Sequence, residues 1–290
     1  MKLSNDNLNN YFSYIPEVWR TYPVYPYNFI DRNSNTLVVT IGDSWTFGAD
    51  ICLDDYAMSQ ERLDKMYGNI VATKLGADFL SLGQSGTCNL YIINKITELD
   101  TLIPQLDYTN IIIICTFTEA CRTFDGPFDK HNDYVTWFSN QTFDSVDKFD
   151  SIIKYHNGLQ QDSIVELAAK YQHVKVIVGT NFVDPIGMNP AITILPKSWL
   201  QVYSEQIINQ EYLGQCYIMS HWVLDKLPGI ITGFKPDIDR TLLLQWMCSL
   251  TDLAMTRKQL VSDSCYFRGI NHPLAEGHRV WADYLLEQLQ

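Results

Sequence analysis

Residues 110–117 read NIIIICTF, with four consecutive isoleucines followed by Cys115. A β-branched run this short, with no polar residue at alternate positions, cannot leave one face in water. It reads as a strand covered on both faces. Two more runs have the same character: TLVVTI at 36–41, closed by Gly42, and VKVIVGTNF at 174–182. DFLSLG at 78–83 reads as a shorter strand. Between the strands, apolar residues recur at helical spacing. The segment 59–77 ends on Gly76, the segment 88–103 is stopped by Pro104, and 162–172 and 273–289 show the same period. Strand–helix alternation of this kind predicts an α/β fold, a three-layer α/β/α sandwich with a mainly parallel sheet.

Three stretches fall outside that rhythm. Residues 1–35 are rich in Tyr and Pro, which argues against a helix and for an extended arm packed across the body. Residues 36–290 then form one domain with two insertions. One covers about 120–150, polar and aromatic; the other covers about 185–262 and carries extra helices. Long insertions on such sheets tend to sit over the site.

Bulk properties exclude several classes. Thirty-three acidic against 21 basic residues give a formal net charge of -12, and the Lys and Arg are scattered, so no nucleic-acid partner is expected. No apolar run is long enough to span a bilayer, and the first residues lack the apolar core of a signal peptide. Cytoplasmic synthesis with no membrane partner is therefore expected. The seven cysteines are irregularly spaced and include no C-x-x-C pair, which suits buried free thiols rather than disulfides or zinc. The six histidines form no H-x-x-x-H or H-E-x-x-H pair, so no metal is expected. Asp50, Asp54 and Asp55 read as a solvated acidic loop.

The chemistry concentrates where the first long strand ends. In an open α/β sheet, ligands bind beyond the carboxyl ends of the strands. There the chain reads Gly42-Asp43-Ser44. Ser44 has two readings: the N-cap of the next helix, or a nucleophile whose own N–H can face an oxyanion. Thr46 stands where the nucleophile elbow of α/β-hydrolases needs its second glycine, so that elbow is absent.

Three blocks taken together, IGDSWTFG at 41–48, SLGQSGTCN at 81–89 and HPLAEGHRVWADYL at 272–285, resemble the SGNH (GDSL-like) hydrolase family. The resemblance covers residues 36–119 and 263–290 and implies that family's flavodoxin-like sheet. It implies Ser44 as nucleophile, His272 as general base, and the N–H groups of Ser44 and Gly86 as oxyanion donors. Two positions depart from the pattern. Thr118 stands where the family has an oxyanion asparagine, and Glu119 follows it. Gly269 stands where the family has the aspartate that orients the histidine, leaving Asp263 as the nearest upstream acid. Either Asp263 or a backbone carbonyl could hold the imidazole tautomer. His278 and His221 read as packing or surface histidines.

The function implied is ester hydrolysis, with an acylated saccharide or a small ester as partner and no cofactor. Trp137, Trp199 and Trp222, with Phe138 and Tyr203, are candidates to stack on a sugar; the competing reading is that they pack the insertions onto the sheet. The alternative is an SGNH-fold binding or structural protein without useful catalysis. The resemblance also extends to such proteins carried by tailed bacteriophages, with homo-oligomer or virion assembly as the partner.

Overall fold

The computed structural model describes residues 1–13, 27–49, 51, 59–85, 87, 89–117, 162–181, 190–199, 202, 267–268, 272–273 and 275–290, with Leu90, Phe267, Arg268 and His272 described by backbone alone. The elements in chain order are β1 (Asn28–Ile30), β2 (Thr36–Gly42), α1 (Ser44–Phe47), α2 (Gln60–Lys65), α3 (Tyr67–Leu75), β3 (Asp78–Ser81), α4 (Asn89–Leu102) and β4 (Asn110–Phe117). They continue with helix α5 over 162–170, then β5 (Val174–Thr180), β6 (Thr193–Ile194), β7 (Phe267–Arg268), β8 (His272–Pro273) and α6 (Ala275–Leu289).

Six strands form one sheet in the order β1-β3-β2-β4-β5-β6. All neighbours are parallel except β1, which runs antiparallel to β3. Numbered among themselves, the five parallel strands lie in the order 2-1-3-4-5, a doubly wound sheet whose winding reverses between β2 and β4.

Both faces are covered, as the apolar strands require. Leu37, Val39 and Ile41 of β2, Ile111, Ile113 and Cys115 of β4, and Val174, Val176 and Val178 of β5 face one core. Ile92, Ile96 and Leu99 of α4 close that core, with Ile164 and Leu167 of α5. The intervening residues Val38, Ile114 and Ile177 face a second core, closed by Val71 and Ala72 of α3 and by Val280, Trp281, Ala282 and Leu285 of α6. The period of two along each strand thus divides one run of side chains between two layers of helix. Gly68 lets α3 approach closely: a Cβ there would lie 2.3 Å from Thr40 Cγ2 and 2.7 Å from Phe79 Cε2.

Two strands of the six-stranded sheet lie where the sequence predicts none, and the paired β7 and β8 are likewise unpredicted. β1 falls inside the segment expected as an arm, and β6 inside the second expected insertion. Three- and two-residue strands carry too little periodicity to be seen in a sequence. The first residues are integral to the core: Leu3, Leu8, Phe12, Tyr27 and Phe29 all join the cluster on the α4 side. Asn5 covers the outer edge of β1. Its Nδ2 donates to Phe29 O at 3.0 Å and its Oδ1 accepts from Phe29 N at 2.8 Å, which satisfies the edge groups of β1. On α4, the buried Lys95 ammonium donates to Ser13 O and to Glu98 Oε2 (2.6 Å). It lies 5.3 and 5.1 Å from the ring centroids of Tyr27 and Tyr91. The whole 120–150 segment and most of 185–262 lie outside the described residues. No helix among the described residues is long and apolar enough to cross a membrane.

Two outcomes follow from this packing. Gly68→Val should destabilise the fold by about 3 kcal/mol, because the wall it meets is strand and aromatic ring. A denaturant midpoint equal to that of the unmodified protein would contradict the close approach. The second outcome concerns alkali. Burial raises the Tyr67 and Tyr108 phenols above their ordinary 10.0, and Tyr108 also donates to the Asp78 carboxylate. Burial likewise raises the Cys115 thiol above 9.0. Below those ordinary values, all three are protonated whether the chain is folded or not. Above them the unfolded chain releases protons first, so stability falls as pH rises. Lys95 and Arg32, lowered by burial, act in the opposite sense, while Lys170, raised by its hydrogen bond to Asp100, acts with the three. The thermal midpoint is expected to fall between about pH 9 and about pH 11, and Cys115→Ala to flatten that fall. An unchanged slope in Cys115→Ala would contradict it.

Candidate functional site

β2 and β4 end side by side, with Gly42 paired to Thr116. The chain then turns sharply into α1, and two glycines make room for the turn. A Cβ on Gly42 would lie 2.1 Å from Thr46 Oγ1 and 2.9 Å from Thr116 O. A Cβ on Gly83, just beyond β3, would lie 2.7 Å from Phe47 N and 2.8 Å from Thr46 C. Gly48 ends α1 at φ 76, the left-handed conformation that suits a glycine cap. The four-residue helix is therefore wedged between the carboxyl ends of β3, β2 and β4, at the point where the winding reverses.

The N-cap of α1 is Asp43, not Ser44. Asp43 Oδ1 accepts from Trp45 N at 2.9 Å, and Ser44 is the first helical residue. The capping explanation of Ser44 therefore fails by one position. Ser44 keeps 8% of its surface exposed, and its carbonyl accepts from Ala49 N at 2.9 Å. The second oxygen of Asp43 is also held: Oδ2 accepts from Asn181 Nδ2 at 2.9 Å. Beside the turn, Gln84 N donates to Gly42 O at 3.1 Å and Thr87 Oγ1 donates to Gln84 O at 3.0 Å. These bonds bring the polar block after β3 against the block after β2.

Beneath α1 lies a dry aromatic floor. The Tyr67 hydroxyl lies 3.1 Å from Thr116 Oγ1 and 3.4 Å from Thr46 Oγ1. His278 is fully buried and stacks on Tyr67 with centroids 5.9 Å apart. Its Nδ1 accepts from Tyr67 N at 3.2 Å, so it satisfies the first N–H of α3, where Met66 offers no side-chain cap. His278 is thus a capping and packing histidine.

Each sequence-derived candidate can now be located. β8, which carries His272, packs against α1, which carries Ser44, with Cα atoms within 8 Å. β8 is held there by pairing with β7 (Arg268 opposite His272) and by the start of α6. Gly86, Thr118, Asp263, Trp137 and Trp222 lie outside the described residues, as do Phe138, Tyr203, His221, Glu119 and Gly269. Trp199 is a correction. It is fully buried, meets Trp45, Tyr67 and Trp281 at centroid distances of 5.4, 5.0 and 5.4 Å, and donates to Gly277 O at 3.5 Å. A core side chain thus lies inside a segment expected as an insertion, and no ring face is open to a sugar. Among the described residues no three His, Cys, Asp or Glu side chains cluster as metal ligands.

The sequence also missed two residues. In sequence Asp43 reads only as part of a tripeptide motif, and Asn181 as the tail of a strand. The available signal was position: a polar side chain immediately past the carboxyl end of a buried parallel strand faces the crevice edge.

No family model and no curated protein sequence matches the chain. Among solved structures, it is similar to a member of the lipolytic protein G-D-S-L family from Veillonella parvula, with 13% identity and a TM-score of 0.37 over 87% of this chain and 97% of that one. It is similar to a carbohydrate esterase with divergent catalytic and non-catalytic binding functions, with 14% identity and a TM-score of 0.38; the match covers 88% of this chain and 65% of that one. A third is an acetyl-xylooligosaccharide esterase from Geobacillus, with 16% identity and a TM-score of 0.33 over 87% and 93% of the two chains.

The glycine clearance gives a direct test. Gly83→Ala places a methyl against the backbone of α1 and should cost about 1–3 kcal/mol. A thermal midpoint unchanged from the unmodified protein would show that α1 does not sit on β3 as described.

Proposed function

We propose that the protein is a serine ester hydrolase of SGNH type that removes acyl groups from carbohydrate. The observation that carries the proposal is the meeting of α1 and β8 at the reversal of the sheet. Two segments more than two hundred residues apart in sequence meet there, one carrying Ser44 and the other His272, and the carboxyl edge of an α/β sheet is where such folds bind ligands.

In this mechanism Ser44 Oγ attacks the acyl carbonyl while His272 takes its proton. The tetrahedral oxyanion is held by N–H groups at Ser44 and Gly86 and by the Thr118 hydroxyl. The imidazolium then protonates the sugar oxygen as its bond to the acyl carbon breaks, leaving an acyl-serine, and water activated by His272 attacks that ester to release the acid and restore Ser44. Asp263 or a backbone carbonyl would accept the second ring N–H. Acylated saccharide is the substrate class because the sequence resemblance points there, and Trp137 and Trp222 remain the candidates for stacking. No cofactor enters any step.

One observation favours the alternative of a binding or assembly protein: the proposed nucleophile is only 8% exposed. Acetate release from an acetylated polysaccharide separates the two. The esterase account expects release that falls by three orders of magnitude or more in Ser44→Ala and in His272→Ala. Release that persists in Ser44→Ala, or no release from any acylated glycan by folded protein, would contradict it.

A further inference from the structure

We infer that Asn181 is a positioning residue for Ser44, acting through the carboxylate of Asp43. The assignment rests on the proposed role of Ser44 as nucleophile. Asn181 directly follows β5, and its N–H continues the ladder by donating to Phe117 O at 2.9 Å. Its backbone is therefore as fixed as the two central strands. From there its side chain reaches across the end of β4 to Asp43, 138 positions away in sequence. The Asp43 carboxylate is gripped at both oxygens, by Asn181 Nδ2 and by Trp45 N, each at 2.9 Å. Asn181 is fully buried and Asp43 is 2% exposed, so water does not compete for either bond. Fixing the side chain of the N-cap fixes the peptide that follows, and that peptide belongs to Ser44.

The residue type supports this role. Only a donor suits the site: a carboxylate at 181 would face the Asp43 carboxylate, and an alkyl group would leave Asp43 Oδ2 without that bond. The bond to Asp43 also fixes which end of the amide is which. Asn181 Oδ1 is then left buried with no hydrogen-bond partner among the described residues. An orphaned buried acceptor costs stability. A residue selected for packing alone would be apolar here, so the amide is retained for what its Nδ2 holds.

The test is the rate at which a fluorophosphonate ester labels Ser44, measured on folded protein well below its thermal midpoint. Three proteins are compared: unmodified, Asn181→Asp, and Asn181→Asp combined with Asp43→Asn. The single variant sets two carboxylates against each other. Its labelling should fall roughly ten- to a hundredfold, the scale of a displaced reacting group. The loss should ease in acid, where the pair can share a proton. The double variant restores one carboxylate and one amide with their places exchanged, and should recover most of the rate. Labelling of folded Asn181→Asp at the unmodified rate would overturn the positioning role and leave the esterase proposal intact. A slow double variant whose thermal midpoint has recovered would also overturn it, because the pair would then serve stability alone. No labelling of the unmodified protein would overturn both proposals. Should Asn181→Asp fail to fold, Asn181→Ser retains a small donor and is read by the same comparison of rate with midpoint.

Discussion

The whole arrangement depends on burying both faces of β2, β4 and β5. Their side chains divide between two cores, and neither face can be left to water. Helices must therefore cross over both faces, and crossover connections make the strands parallel. Parallel strands in turn place all their carboxyl ends along one edge. A crevice at that edge is a consequence of hydrophobic burial, before any functional residue is specified.

Local chemistry then turns the edge into a candidate site. Gly42 and Gly83 remove two Cβ atoms that would otherwise collide with α1. Asp43 caps the helix and so leaves Ser44 to begin it. Asn181 ties the cap to the strand on the far side of β4. The floor of Tyr67, His278 and Trp199 is closely packed, with the Tyr67 hydroxyl beside two threonine hydroxyls and His278 Nδ1 accepting from a helix N–H. This polarity is structural: the phenol is held protonated by burial. A serine on such a support moves little, which is what orientation-dependent chemistry needs.

Much of this was legible in the sequence. The unbroken apolar runs at 36–41 and 110–117 identify β2 and β4 and require a parallel, doubly covered sheet. Ser44 stands out because a polar residue follows such a run. Other features depend on contacts that no local pattern carries. β1 and β6 are too short to show a period. The N-cap differs from the first helical residue by one position, which a motif cannot resolve. The Asp43–Asn181 bond joins residues 138 positions apart. Trp199 illustrates the reverse error: placed in an expected insertion, it is buried among side chains of α3 and α6 after β6 joins the sheet.

The central claim is that Ser44 and His272 work on the same acyl group. An experimental structure of the protein measures the separation of Ser44 Oγ from the nearer ring nitrogen of His272. The account predicts hydrogen-bond reach, about 2.6–3.2 Å, with a carboxylate or carbonyl oxygen behind the other nitrogen. A His272 ring turned away from α1, with no other base beside Ser44, would contradict it.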